Sequence, residues 1–253
     1  MKRLSRPAMA GISIIIGILV ITILSFGLPE ISKKAAEIIL DRQSTLFPYP
    51  FTIQNVMLLL FFLGLGELCL RQRDSSIEMT YTTREYLPED DRTVLQSHDL
   101  GTIRQKVLPD IKEENAYLPN MVNRCILQFL SSRSVDETNS VLNSLADIYF
   151  HQIDLKYTIL RYIAWVIPTI GFIGTVVGIA SSLNVIAEDV ANPNLADVTS
   201  SLAVAFNTTM VALVLSAILV FFIYIIQEKE ERSLNKSMEY CLNNLINRLY
   251  TPE

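Results

Sequence analysis

Apolar residues in this chain are gathered into four windows, at roughly 7–29, 50–70, 162–187 and 198–227, and nearly every charge lies between them. A helix needs about 20 predominantly apolar residues to cross the hydrocarbon core of a bilayer. All four windows reach that length, so the pattern predicts an all-α membrane protein with four transmembrane helices. The predicted order is transmembrane helix 1 over 1–28, an extracytoplasmic loop over 29–50 and transmembrane helix 2 over 51–70. A cytoplasmic helical segment over 71–158 follows, then transmembrane helix 3 over 159–187, an extracytoplasmic loop over 188–198, transmembrane helix 4 over 199–227 and a cytoplasmic helical tail over 228–253.

The third window is not a plain anchor. Placed on a helix, Ala164, Pro168, Gly171, Thr175, Gly178 and Ser182 recur at spacings of three and four and share one narrow face. Bulky apolar residues such as Ile167, Phe172, Ile173 and Val176 occupy the remainder. The fourth window has a matching small face of Ser201, Ala205, Thr209, Ala212 and Ser216, with Asn207 and Thr208 beside it. Two uses fit such faces. Small residues let membrane helices approach closely, and Ser, Thr and Asn hydrogen-bond across the contact. A hydroxyl can also pass a proton or ligate a dehydrating cation, but it stores no charge near neutral pH. A pore built from these faces therefore needs a carboxylate from elsewhere.

The flanks set the orientation. Lys2, Arg3 and Arg6 precede the first window, whose apolar core is longer than the about 7–15 residues of a signal-peptide core. Ser25-Phe26-Gly27 is only a weak cleavage site, which favours an uncleaved helix. The connection after it ends in the Pro48-Tyr49-Pro50 break; its Ile31–Ile39 part suits an interfacial helix, and Tyr49 and Phe51 suit aromatic anchors at the headgroups. Arg71 and Arg73 close the second window, Lys156 and Arg161 open the third, and Lys229, Arg232 and Lys236 follow the fourth. The loop between windows three and four carries Glu188, Asp189 and Asp197 and no cation. This bias places both termini and the middle segment in the cytoplasm, although Lys33, Lys34 and Arg42 run against it.

The first part of the middle segment, through Glu89-Asp90-Asp91-Arg92, reads as loosely structured, and helical signals improve from Leu100. Ser134-Val135-Asp136-Glu137 matches a capping box. Behind it Val141, Leu142, Leu145, Ile148, Tyr149 and Ile153 keep helical spacing with no breaker before Pro168, which predicts one helix running from the cytoplasm into the third span. After the fourth span Leu234, Met238, Cys241, Leu242, Leu245 and Leu249 stay in helical register with no Gly or Pro until Pro252.

Composition removes several classes of function. A net charge of −5 without a dense Lys/Arg cluster does not suit a nucleic-acid partner. Cys69, Cys125 and Cys241 fall at or in the reducing cytoplasmic side, so no disulfide framework follows. His98 and His151 have no second ligand at metal-binding spacing, and no metal site is predicted. Nucleotide, zinc-protease and hydrolase motifs are absent from the sequence. Glu67 is the one ionisable residue inside a span, about a turn from its cytoplasmic end, where snorkelling and pairing with Arg71 or Arg73 account for it.

The run Pro168-x-x-Gly171-x-x-Gly174-Thr175-Val176-x-Gly178, followed by Ala205-x-x-Thr208-Thr209-x-x-Ala212-Leu213, resembles the paired helices of the MotA/TolQ/ExbB proton channel family. The likeness covers about 159–228 well and the remainder only through topology. It implies a homopentamer in the bacterial inner membrane around single-span partner helices of the MotB, ExbD or TolR kind, which supply the titrating aspartate. It implies no cofactor beyond the transported H⁺ or Na⁺, between which threonine hydroxyls do not choose. Carried over by position, Thr175 and Thr209 are the pore threonines, Pro168 and Gly171 shape the upper channel, and Ala212 lines the pathway where the family commonly has glycine. Gly174, Gly178, Ala205 and Ser216 serve helix packing, and Asn207 is a second departure from the family pattern.

Four spans with a cytoplasmic middle segment look more like the flagellar stator branch than the three-span TolQ and ExbB branch, with Zorya-type phage-defence motors a further relative of the design. Torque-bearing charges would then sit in the middle segment, where Arg84, Glu85, Arg92, Arg104 and Lys106 are candidates by location. The function expected is an ion-conducting motor subunit. A non-conducting membrane scaffold is its rival, a secondary transporter is disfavoured by the lack of inverted repeats, and no constellation supports an enzyme.

Overall fold

The computed structural model describes residues 6–42, 48–90, 92–111, 116–188 and 194–250. Lys2, Arg3, Asp91, Asp189 and Pro252 lie outside the described residues, and of Arg6 only the backbone is described. The chain is helical: α1 (Arg6–Ile31), α2 (Lys33–Leu40), α3 (Ile53–Thr82), α4 (Ser97–Val107), α5 (Tyr117–Ser132), α6 (Val135–Glu188) and α7 (Leu195–Asn244), with a 3₁₀ turn at Ile246–Arg248. Strand pairing among the described residues is limited to one parallel bridge between Leu95 and Leu249. Among the described residues four helices, α1, α3, α6 and α7, are long and apolar enough to cross a membrane.

Two compact units divide the chain. The first comprises Met1–Leu70 and Thr158–Tyr224, and holds the apolar stretches of all four long helices. Its burial pattern is that of a protein solvated by hydrocarbon. Large apolar side chains such as Ile15, Phe172, Phe206 and Tyr224 face outward, while Ser182, Thr208 and Ser25 are buried. The small helix α2 is capped by Ser32, whose hydroxyl accepts from the Ala35 N–H at 3.3 Å, and it buries Ala36 and Leu40. That is the helix foreseen for the interfacial stretch.

The second unit comprises Arg71–Tyr157 and Ile225–Glu253. It has an ordinary soluble core, in which Leu100 and Val107 of α4, Leu118, Met121, Cys125 and Ile126 of α5, Leu142 and Ile153 of α6 and Leu234, Cys241 and Leu245 of α7 are all buried.

Local expectations fail in three places within this unit. The stretch after Arg71 is loose only beyond Thr82, because α3 continues as one helix to that point. Its buried face is Arg71, Ser75, Glu78 and Tyr81, so helical periodicity is present but carried by polar residues. The capping box before α6 forms only in half. Ser134 Oγ accepts from the Glu137 N–H at 3.3 Å, but the Glu137 carboxylate accepts from Gln128 Nε2 at 3.1 Å and the Ser134 N–H is donated to Ser132 Oγ. Finally, the terminal helix stops at Asn244 and does not continue through Leu249. Arg248 donates to the carbonyls of Pro88 at 2.9 Å, Glu89 at 3.2 Å and Asn243 at 3.1 Å, and the Leu95 N–H donates to the Arg248 carbonyl at 2.7 Å. Those long-range bonds replace the last helical turn.

Candidate ion-pathway site

The predicted continuous helix is observed: α6 runs unbroken for 54 residues with Pro168 inside it, and α7 for 50. Within the first unit the small faces of the two helices meet. A Cβ added at Gly178 would stand 2.7 Å from Ala205 Cβ and 3.0 Å from the Ser201 carbonyl. At Gly174 it would stand 2.8 Å from Thr208 Oγ1, and at Gly171 it would collide with Ala212 Cβ. These three glycines therefore let the α7 backbone come closer than any side chain on α6 would permit. Thr208, which helical spacing put beside the small face, is itself in the seam and almost wholly buried.

Thr175 and Thr209 come together in this seam and are both half-buried. Their hydroxyl oxygens are hydrogen-bonded to one another. Thr175 Oγ1 lies 3.1 Å from the Ala205 carbonyl and 3.3 Å from that of Gly171, while Thr209 Oγ1 lies 3.1 Å from the Gly171 carbonyl. Each hydroxyl has one proton and two lone pairs. One proton makes the bond between the two hydroxyls and the other goes to a carbonyl, which leaves lone pairs available on the pair; when the second proton is turned away from its carbonyl, it becomes a donor. The pair can thus accept from an acid or donate to an anion with no heavy atom moving. No ionisable residue occurs between 164 and 182 or between 201 and 216.

Pro168 and Ser216 form a second linkage between these helices. A proline inside a helix has no N–H for the carbonyl four residues back, here Ala164. Ser216 Oγ donates to that carbonyl at 2.8 Å, so α7 supplies the hydrogen bond that α6 lacks. Ser182 Oγ makes a similar crossing bond to the Val198 carbonyl at 3.1 Å. Of the predicted residues, then, Thr175, Thr209 and the Gly171 carbonyl share one point. Ala212, Gly174, Gly178 and Ala205 build the close contact around it, and Ser216 answers Pro168.

The second unit holds a polar cluster that the sequence did not announce. Glu78 of α3 accepts from the backbone N–H groups of Tyr117 at 3.0 Å and Leu118 at 2.7 Å, capping α5 from another helix, and from the Ser237 hydroxyl at 3.2 Å. Burial pushes its carboxyl up to about 7, against the pull of those donors and of Lys156. Glu230 of α7 accepts from Tyr157 Oη at 3.0 Å and Tyr117 Oη at 3.3 Å, and lies 3.5 Å from Lys156 Nζ. Lys156 in turn donates to Tyr117 Oη at 2.8 Å. Burial lowers the Lys156 pKa, with Glu230 opposing, and raises those of Tyr117 and Tyr157, with Glu230 reinforcing. The expected apolar stripe of the tail is in fact mixed: Glu230, Ser233 and Ser237 are buried beside Leu234 and Cys241, while Leu242 is exposed.

Among the charges proposed by location for torque, Arg84 is bound to Asp110 at 2.6 Å and Arg104 donates to Asn123 Oδ1 at 3.1 Å. Glu85, Arg92 and Lys106 are exposed.

A helical, multi-pass membrane protein whose last two spans meet along a glycine- and hydroxyl-lined seam is the class that this fold and site define. The chain belongs to the MotA/TolQ/ExbB proton channel family, which it matches over residues 113–239. That segment contains all of α5 and α6 and most of α7, including the whole seam. A comparison with curated proteins found no match, and a comparison with solved structures found none.

Proposed function

We propose that this chain is the ion-conducting subunit of a membrane motor, passing H⁺ or Na⁺ and coupling the flow to rotation or force through a single-span partner of the MotB, ExbD or TolR kind. Membership of a proton channel family supports the channel itself. The observation that carries the coupling is the Thr175–Thr209 hydroxyl pair in a seam without ionisable residues. Such a site binds a carboxylate as donor and a carboxylic acid as acceptor, yet holds no charge of its own, so the titrating aspartate comes from the partner. Five copies in the bacterial inner membrane, with both termini cytoplasmic, surround that partner. Each ion crossing contributes about 2.3 kcal/mol per 100 mV of potential. The four spans favour a stator-like arrangement.

The test is co-reconstitution with the partner in liposomes, with ion flux followed by pH- and Na⁺-sensitive dyes. Thr209→Ala leaves the assembly intact on native mass spectrometry and cuts the flux. Unchanged flux would place the conducting face elsewhere, and a monomer that ignores the partner would make the seam a packing surface only.

A further inference from the structure

The first unit contains a cavity of about 400 Å³ bordered by α1, the end of α2 and the start of α3. Its lining is graded. Ser25, Arg42, Tyr49 and Asn55 stand, with Phe26 and Phe51 beside them, where α1 ends and α3 begins, whereas the lining deeper along the same two helices, Ile18, Ile21, Val56 and Leu59, has no polar group near it but Thr22. Ile18 is two turns, about 10 Å, inward of Ser25, and Leu59 is one turn, about 6 Å, inward of Asn55. A polar end at the helix termini and an apolar end toward mid-membrane is the polarity of a phospholipid.

The polar end has unused capacity. Asn55 Nδ2 donates to the Pro50 carbonyl at 2.8 Å, which fixes the amide orientation and leaves Oδ1 buried with no partner among the described residues. Asn55 is 3% exposed. An unpaired buried acceptor is costly, and a ligand donor would relieve it. Arg42 donates from Nη1 to the Ser25 carbonyl at 3.0 Å, the one hydrogen bond its guanidinium makes among the described residues, and lies over the Tyr49 ring at 5.9 Å. A guanidinium so held is suited to a phosphodiester.

We propose that this cavity binds one phospholipid, with its phosphodiester on Arg42, a headgroup N–H or O–H donating to Asn55 Oδ1, and an acyl chain between Ile18, Ile21, Val56 and Leu59. The site selects headgroups by hydrogen-bond donation. Phosphatidylethanolamine and phosphatidylglycerol have a donor; phosphatidylcholine, with a quaternary ammonium, has none.

The full chain is reconstituted in nanodiscs of phosphatidylcholine mixed with phosphatidylethanolamine, re-extracted in mild detergent, and its retained lipid quantified by mass spectrometry. The wild type retains phosphatidylethanolamine over phosphatidylcholine by roughly fivefold to tenfold, the worth of one ordinary hydrogen bond. Asn55→Leu abolishes the preference but not the retention, and Arg42→Gln lowers the retention of both lipids. Ile18→Trp fills the apolar end and expels lipid with the polar groups untouched, which keeps the test decisive if an Arg42 or Asn55 variant fails to fold. Equal retention of the two lipids by the wild type, or a preference indifferent to Asn55→Leu, would overturn the proposal. So would an assembly that retains no lipid because a second copy covers the cavity.

Discussion

Helices α6 and α7 bury polar groups twice, by opposite means. In the apolar unit the buried groups are the neutral hydroxyls of Thr175, Thr208, Thr209, Ser182 and Ser216, satisfied by backbone carbonyls of the facing helix. In the other unit they are charges, Lys156 and Glu230, joined by Glu78 of α3 and satisfied by backbone N–H groups, phenols and one another. Placing a charge in hydrocarbon costs several kcal/mol, whereas a hydroxyl there needs only one carbonyl. The difference shows how one pair of helices holds a neutral seam in one unit and a charged junction in the other.

The largest expected effect is at that junction. Glu230→Leu takes the carboxylate from Lys156 and the acceptor from Tyr117 and Tyr157, and removing one member of a buried pair costs about 3–5 kcal/mol, read as a lowered Tm by circular dichroism in detergent. A Tm within error of wild type would show that the two units do not differ as described. Next, Gly178→Ala forces a methyl against Ala205 Cβ, an overpacking penalty of about 1–3 kcal/mol. Ala205→Gly in the same chain restores the contact, and failure of this rescue would mean that the helices are not held by close approach.

A pH titration sharpens the contrast further. Because the Glu78 carboxyl is raised from 4.5 to about 7, the folded chain holds a proton between those values that the unfolded chain has released. Stability therefore falls as pH rises through that window, by at most about 1.4 kcal/mol per pH unit. Glu78→Gln removes this slope, and a slope that persisted in the variant would assign it to another group. The smallest effect belongs to the neutral seam: Ser216→Ala leaves the Ala164 carbonyl without its donor and costs about 1 kcal/mol, with no pH dependence.

The spans and the two long helices were legible because their signals are local: an uncharged run of sufficient length and the absence of a breaker from Val135 to Pro168. Helical spacing also identified Thr175, Gly171, Gly178, Thr209 and Ala205 as face residues. Spacing says which residues share a face, not how the partner helix crosses it, and so Thr208 was set beside a seam that it occupies. The Glu78 cluster was not legible at all. Its periodicity is carried by Arg71, Ser75 and Glu78, residues that hydropathy assigns to solvent, and its partners Tyr117 and Ser237 lie 39 and 159 positions away. The end of α7 was misjudged for a like reason, since Arg248 finds its acceptors at Pro88 and Glu89.

The bond from Ser216 to the Ala164 carbonyl has a mechanical consequence. A helix ordinarily owns its stiffness, since every rung of its ladder is internal. At Pro168 one rung is on loan from α7, so the bending modulus of α6 at that level depends on the azimuth of its neighbour. A turn of α7 about its long axis large enough to withdraw the rung would soften α6 at that level, without a peptide hydrogen bond of either helix being broken.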